Sequence, residues 1–229
     1  MLKEFLREVR GGKGVESQLL KTVLFSLLTS IIVLGALYFT KFKFIDGFMS
    51  KYGFFLFFAV LTYALLSGVL LQVRAFGQFP CMSGMMIGMS FGMIAGFLTG
   101  YFIASTNGMF VGSVFGMSFG MILGMVAGGR CCGVMGFLEG TMAGFMGGLM
   151  GAMTAFMLFN DHLRTATVII FAVCAVILFA LNYMLYVEGK QLERRRHDSD
   201  LFFTIVFSFV SIVLTAWLMV FGPRSGVFG

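Results

Sequence analysis

Charge is scarce in this sequence, and so are the residues from which catalytic sites are built. Charged side chains make up 11% of the 229 residues, with two prolines, one tryptophan and two histidines. Soluble domains carry about 25% charged residues to keep their surfaces wet, so this composition excludes an ordinary soluble fold. Both histidines, His162 and His197, fall in hydrophilic stretches, and no phosphate-binding glycine loop, HExxH pair or histidine-activated nucleophile is present. No catalyst is therefore expected. Only four cysteines occur, and none forms a CxxC.

What fills the chain is apolar: 59% of residues are hydrophobic and the mean hydropathy is +0.98. A bilayer span takes roughly 20 mainly apolar residues. Such runs occur seven times, near 20–40, 53–73, 83–105, 109–128, 133–158, 165–187 and 201–221. The third to fifth are diluted by glycine. The first run is too long for a signal-peptide core and no small-x-small site follows it, so it is expected to stay in the mature protein. With seven spans, lysine and arginine divide eleven to five in favour of the N-terminal side, which predicts a multi-pass protein of the cytoplasmic membrane with its N-terminus in the cytoplasm. The net charge of +6 follows from that asymmetry and suits anionic lipid headgroups; nucleic acid is not an expected partner.

Composition divides the chain into four parts. Residues 1–19 form a basic segment in which Leu2, Phe5, Leu6 and Val9 share one helical face, as in a helix lying on the membrane surface. Residues 20–75 hold two conventional spans, residues 80–158 a glycine- and methionine-rich block, and residues 160–229 two further spans joined by a basic inner loop. In the block glycine recurs every fourth position, at 88, 92 and 96 and again at Gly112, Gly116, Gly120 and Gly124, then at Gly140, Gly144 and Gly148. Fifteen of the nineteen methionines lie between 82 and 157, and GMSFGM occurs twice, 28 residues apart. Short turns at STNG and GGRCCG make the three block helices antiparallel neighbours. The expected fold is thus all-α and membrane-integral: a polytopic bundle of about seven transmembrane helices whose glycine-zipper, methionine-rich core is three helices. The four conventional spans are expected to surround it.

The glycines Gly88, Gly92 and Gly96 and their counterparts read as packing surface, because lipid offers no hydrophobic drive and helices must pair by close contact. Methionine steps in the same register: Met85, Met89 and Met93; Met117, Met121 and Met125; Met142, Met146 and Met150. A thioether is an adaptable apolar filler. It is also a neutral ligand for soft ions such as Cu(I), and a column of thioethers offers successive weak sites of the kind conduction needs. The MxxxM steps at Met85/Met89, Met117/Met121 and Met142/Met146, with their GxxxG seams, resemble the motif pair of the Ctr family of copper transporters. That family has three spans per subunit against seven here, so the resemblance implies shared chemistry and not membership.

Cys131 and Cys132 at the inner turn, with Cys81 at the inner end of the third helix, are candidate exit ligands, since a thiolate holds Cu(I) more strongly than a thioether. Glu139 is the carboxylate set well inside a predicted span and is a candidate for ion coupling, with Arg130 as its nearest partner. Asp161 and His162 could receive the ion at the outer turn. The leading expectation is a membrane protein that binds or conducts Cu(I) along methionine faces. Two alternatives stand beside it: a non-catalytic glycine-zipper scaffold that assembles with itself or with a larger membrane complex, and a channel for another small solute. A homo-oligomer or membrane-complex partner is expected besides the bilayer itself.

Overall fold

The structure, a computed structural model, describes residues 15–40, 52–76, 80–159, 162–191 and 201–223. Among them are seven helices: α1 Val15–Thr40, α2 Phe54–Phe76, α3 Cys81–Asn107, α4 Met109–Cys132, α5 Val134–Met157, α6 Leu163–Gln191 and α7 Leu201–Phe221. Four of these contain stretches long and apolar enough to cross a membrane: Phe54–Arg74 in α2, Met82–Asn107 in α3, Met109–Arg130 in α4 and Leu163–Glu188 in α6. The protein is a membrane-embedded helical bundle. Shorter apolar stretches occupy α1, at Val23–Gly35, and α7, at Val206–Phe221. α5 has the length of a span, 24 residues, but its glycines, Thr141, Thr154 and Glu139 dilute its hydropathy, so among the described residues four of the seven helices carry a span by length and composition.

The turns are tighter than the sequence suggests. α3 runs on through STN, and Gly108 alone, at φ 113° and ψ 167°, separates it from α4. Gly133 alone, at φ 65° and ψ −137°, joins α4 to α5. Both backbone conformations belong to glycine. A Cβ at position 133 would meet nothing within 4 Å, so a substitution there costs only backbone strain. Gly133→Ala is expected to lower stability by about 1–3 kcal/mol, read as a lower thermal midpoint in detergent; an unchanged midpoint would mean the joint relaxes into another turn.

The three glycine helices form a triangle in which α3 and α5 run parallel and α4 runs between them in the opposite sense. Their glycines stack in layers. Gly88 meets Gly128 and Gly136; Gly92 meets Gly124 and Gly140; Gly96 meets Gly120 and Gly144; Gly100 meets Gly116 and Gly148. Gly112 closes the series against Ala104. A Cβ on Gly88 would lie 2.7 Å from the Gly128 Cα, and one on Gly96 2.7 Å from the Gly144 carbonyl oxygen. The interior of the triangle is therefore solid backbone with no lumen. Where a missing Cβ would strike a carbonyl, as between Gly124 and Gly140 in both directions, the α-hydrogen in its place points at that oxygen. Such Cα–H···O contacts are worth about 0.5–1 kcal/mol each. A four-residue period exceeds 3.6, so a stripe that stays in register this long requires the helices to wrap right-handedly.

The conventional helices do not surround this triangle. α2 is the hub: it packs against α1, α3, α6 and α7, and 72% of its apolar stretch is buried against 22% for α6. A second triangle, α1, α2 and α7, is held by hydroxyls, with Ser26 and Ser208 hydrogen-bonded at 2.6 Å. The two triangles meet where the Tyr63 ring packs edge-on against Phe119 at 5.6 Å and Phe119 stacks on Phe207. At one end of the bundle the Asn107 amide donates to the Leu218 carbonyl at 2.6 Å; at the other, Ser83 donates to Glu188 at 2.7 Å and the Arg74 guanidinium lies over the Phe203 ring at 3.8 Å. α5 makes its extended contacts with α3 and α4 alone, so the methionine-rich core helix of the sequence reading stands at an edge. Leucine- and phenylalanine-rich helices pack on one another through large side chains, and such surfaces have no means to enter a seam built of backbone.

Candidate functional site

Glycine at every fourth position assigns the other three faces of each block helix. The residue after each glycine lies on one flank, the residue before it on the other, and the residue two positions on lies at the back. On α3 the flank after glycine, Met85, Met89 and Met93, faces α5: a Cβ on Gly147 would meet the Met93 backbone, and one on Gly151 the Phe97 backbone. On α4 the same flank, Met117, Met121 and Met125, also faces α5, because the missing Cβ atoms of Gly148 and Gly144 point at the backbone nitrogens of Met117 and Met121. Met142, Met146 and Met150 fall at the back of α5, opposite the glycines.

All nine methionines consequently gather on one side of the triangle, around α5. They do not enclose a path through its interior. Met142, Met146 and Met150 are 71%, 59% and 52% exposed, and Met89 and Met93 are exposed as well. Met85, Met117, Met121 and Met125 are half-buried in the grooves beside α5. Within each column the four-residue step sets successive methionines about 6 Å apart along the axis, near enough for two flexible thioethers to share one ion.

Exposed methionine is confined to the three glycine helices, Met82 and Met86 at the back of α3 included. Every exposed methionine among the described residues lies on α3, α4 or α5, whereas α6 shows Val168, Ile169, Val173 and Phe179 and α7 shows Phe209, Val210 and Trp217. Even the back of α4 is Phe110, Val114, Ile122 and Val126. If methionine served only to fill space beside glycine, it would be covered by its neighbours. Here most of the thioethers are not.

Glu139 is half-buried on the flank of α5 that precedes its glycines, the stripe continued by Ala143, Gly147 and Gly151. Among the described residues it has no hydrogen-bond or ion-pair partner. The expected pairing with Arg130 is absent among them; Arg130 is exposed, because position 130 belongs to the back of α4 and Glu139 faces α3. Cys131 and Cys132 close α4 and Cys81 opens α3, which brings the three to the same end of the bundle in backbone terms; their side chains lie outside the described residues. So do Asp161, the basic segment at 1–14 and the loop at 192–200. His162 is exposed at the opposite end, with φ 45°, and Cys174 is buried within α6. Among the described residues no group of three or more His, Cys, Asp or Glu side chains is placed to hold a metal ion. The donors along the grooves are thioethers and the carboxylate of Glu139.

One polar feature escaped the sequence reading. Gln72 is fully buried in α2, and neither its amide oxygen nor its amide nitrogen has a partner among the described residues. A glutamine inside the apolar run VLLQV is the signal, and averaging hydropathy over a span erases it.

No protein-family model matches the chain, and no curated protein or solved structure matches it either.

Proposed function

We propose that the protein binds or carries a soft monovalent metal ion, Cu(I), along the methionine columns that flank and back α5. The observation that carries this reading is the confinement of exposed methionine, among the described residues, to the three glycine helices, while the outward surfaces of α1, α2, α6 and α7 use branched or aromatic residues. A thioether differs from leucine or phenylalanine chiefly in its sulfur lone pairs, and a surface selected for them is a surface for soft ions. With the glycine core closed, transfer would run along the α3–α5 and α4–α5 grooves, from one thioether pair to the next, with the open side covered by lipid or a second copy. The same reading keeps seven membrane-crossing helices, a glycine-zipper core, a non-catalytic role, a cytoplasmic N-terminus and the cysteine end as the inner end.

A second reading is favoured by the standing of α5. Its back is covered by nothing in the chain, and methionine suits adaptable contact surfaces, so a scaffold that assembles through α5 is the alternative. The closed core speaks against a channel for another solute between the three helices.

The experiment is a substitution of the middle methionine in each column, Met89, Met121 and Met146 together to leucine. Each column then keeps two thioethers eight residues apart, about 12 Å, too far to share an ion. Volume and apolarity are nearly preserved, so the fold should survive at a cost below about 1.5 kcal/mol per site. Helicity and thermal midpoint in mild detergent should stay close to those of the parent, while bound Cu(I) or Ag(I) per chain should fall at least tenfold by order of magnitude. Equal metal content in parent and variant would leave the scaffold reading in place.

A further inference from the structure

Glu139 stands where the α3–α5 groove reaches the cysteine end. The contacts of Gly147 with Met93 and of Gly151 with Phe97 fix the register of the two parallel helices along this groove. Stepping back in fours along both stripes brings Ala143 to Met89 and Glu139 to Met85. The carboxylate therefore enters the groove at the level of the first two methionines of the α3 column. Ala143, Gly147 and Gly151 above it are buried and small, and Met135 below it is exposed at the helix end, so Glu139 is the member of its stripe that brings a charge to the groove.

We infer that Glu139, Met85 and Met89 form one site for a monovalent soft cation at this mouth of the groove, the carboxylate supplying the charge that the thioethers lack. The inference rests on the metal reading above. A Cu(I) or Ag(I) ion held by thioethers alone keeps its full charge in a medium that solvates charge poorly, and a carboxylate beside it makes the assembly neutral. The reverse holds for Glu139: a carboxylate within a helical bundle needs a partner, and among the described residues α3 and α4 offer none that reaches it. α3 carries no charged residue, and the charge on α4 is Arg130, which lies on the back of that helix. One negative charge and two neutral sulfurs also select against divalent ions, which would be left with a net charge and with too few oxygen ligands.

The test is isothermal titration of the purified full chain in detergent with Ag(I) nitrate. The variants are Glu139→Gln, the double variant Met85→Leu with Met89→Leu, the combination of all three, and Arg130→Gln. The expected result is that Glu139→Gln and the methionine pair each weaken the same tightest Ag(I) step about tenfold or more, and that the combination is no worse than the more damaging of the two, since one site is lost in every case. Arg130→Gln should bind as the parent does, and Zn(II) should not compete in any of them. The inference is overturned if Glu139→Gln binds Ag(I) like the parent, or if the methionine pair leaves untouched the step that Glu139→Gln weakens. Should Glu139→Gln lose its helicity, the methionine pair decides: an Ag(I) titration identical to the parent's overturns the inference, and loss of the tightest step supports it. A parent chain that takes up no Ag(I) overturns the metal reading and this site together; a parent that binds, a Met89/Met121/Met146 variant that does not, and a Glu139→Gln that matches the parent overturn this site alone.

Discussion

Alanine at position 128 should unfold or dissociate the glycine triangle, while alanine at position 129, the next residue, should leave it intact. A Cβ on Gly128 would be driven into the carbonyl oxygen of Gly136 at a separation that real Cβ atoms do not adopt, whereas one on Gly129 would find its nearest neighbour, the Phe137 side chain, at 3.7 Å. The first clash is with backbone, which cannot swing away, and the layers on either side are built equally tightly. Relief requires the two helices to separate along the seam, with the loss of several Cα–H···O contacts as well as the strain itself, a cost of at least the 1–3 kcal/mol seen for ordinary overpacking, by order of magnitude. The second change costs nothing sterically and favours the helix slightly, since alanine is the better helix former. Thermal unfolding in detergent, followed by circular dichroism, reads both. Equal midpoints for the two variants would mean that the seam is looser than the layered packing requires.

That contrast between adjacent glycines marks how far the sequence carries the fold. The four-residue period picks out Gly128 and leaves Gly129 out, and a Cβ would meet the Gly136 backbone at the first and only the Phe137 side chain at the second. The period is legible because close backbone contact admits only one residue type, so such packing writes itself directly into the sequence. The conventional helices leave no such record. Leucine, phenylalanine and valine serve equally well toward lipid and toward a neighbouring helix, so nothing in α2 announces a hub and nothing in α6 announces a periphery. The pair Ser26 and Ser208, which ties α1 to α7, is of a residue type that elsewhere in the chain bonds its own helix backbone, as Ser67 and Ser211 do. Their role depends on which helix lies opposite, and sequence alone does not say.

The candidate site divides in the same way. That methionine forms three columns is legible, because the columns share the glycine period. That the α3 and α4 columns both turn toward α5 is not, because it depends on the direction in which each helix runs and on which flank each presents. α4 is reversed relative to α3, yet its methionines follow their glycines in the same order; only the triangular arrangement, with α5 reached from both sides, brings these two flanks to the same helix. The pairing of Glu139 with Arg130 fails for a related reason. Nearness in sequence across a turn suggested it, but the single-residue joint at Gly133 fixes the rotation of α5 so that the carboxylate looks toward α3 and the guanidinium looks out.

Gln72→Met should make the protein more stable. The side chain is fully buried and its amide has both ends unpaired among the described residues, so the folded state carries the desolvation cost of a polar group with no compensating bond, about 1–3 kcal/mol. Methionine has nearly the same length and branching, which keeps overpacking small, and it sits as readily among Leu70, Leu71 and Val73, its buried neighbours along α2. The expected result is a higher thermal midpoint in detergent with unchanged helicity, and the sign is the informative part, since most core substitutions destabilise. A lower midpoint would mean that the amide is bonded in the folded protein to a water or to a group outside the described residues. In that case the hub of the bundle would hold a polar contact between α2 and whatever reaches it, and Gln72 would join Glu139 as a residue kept for what it binds.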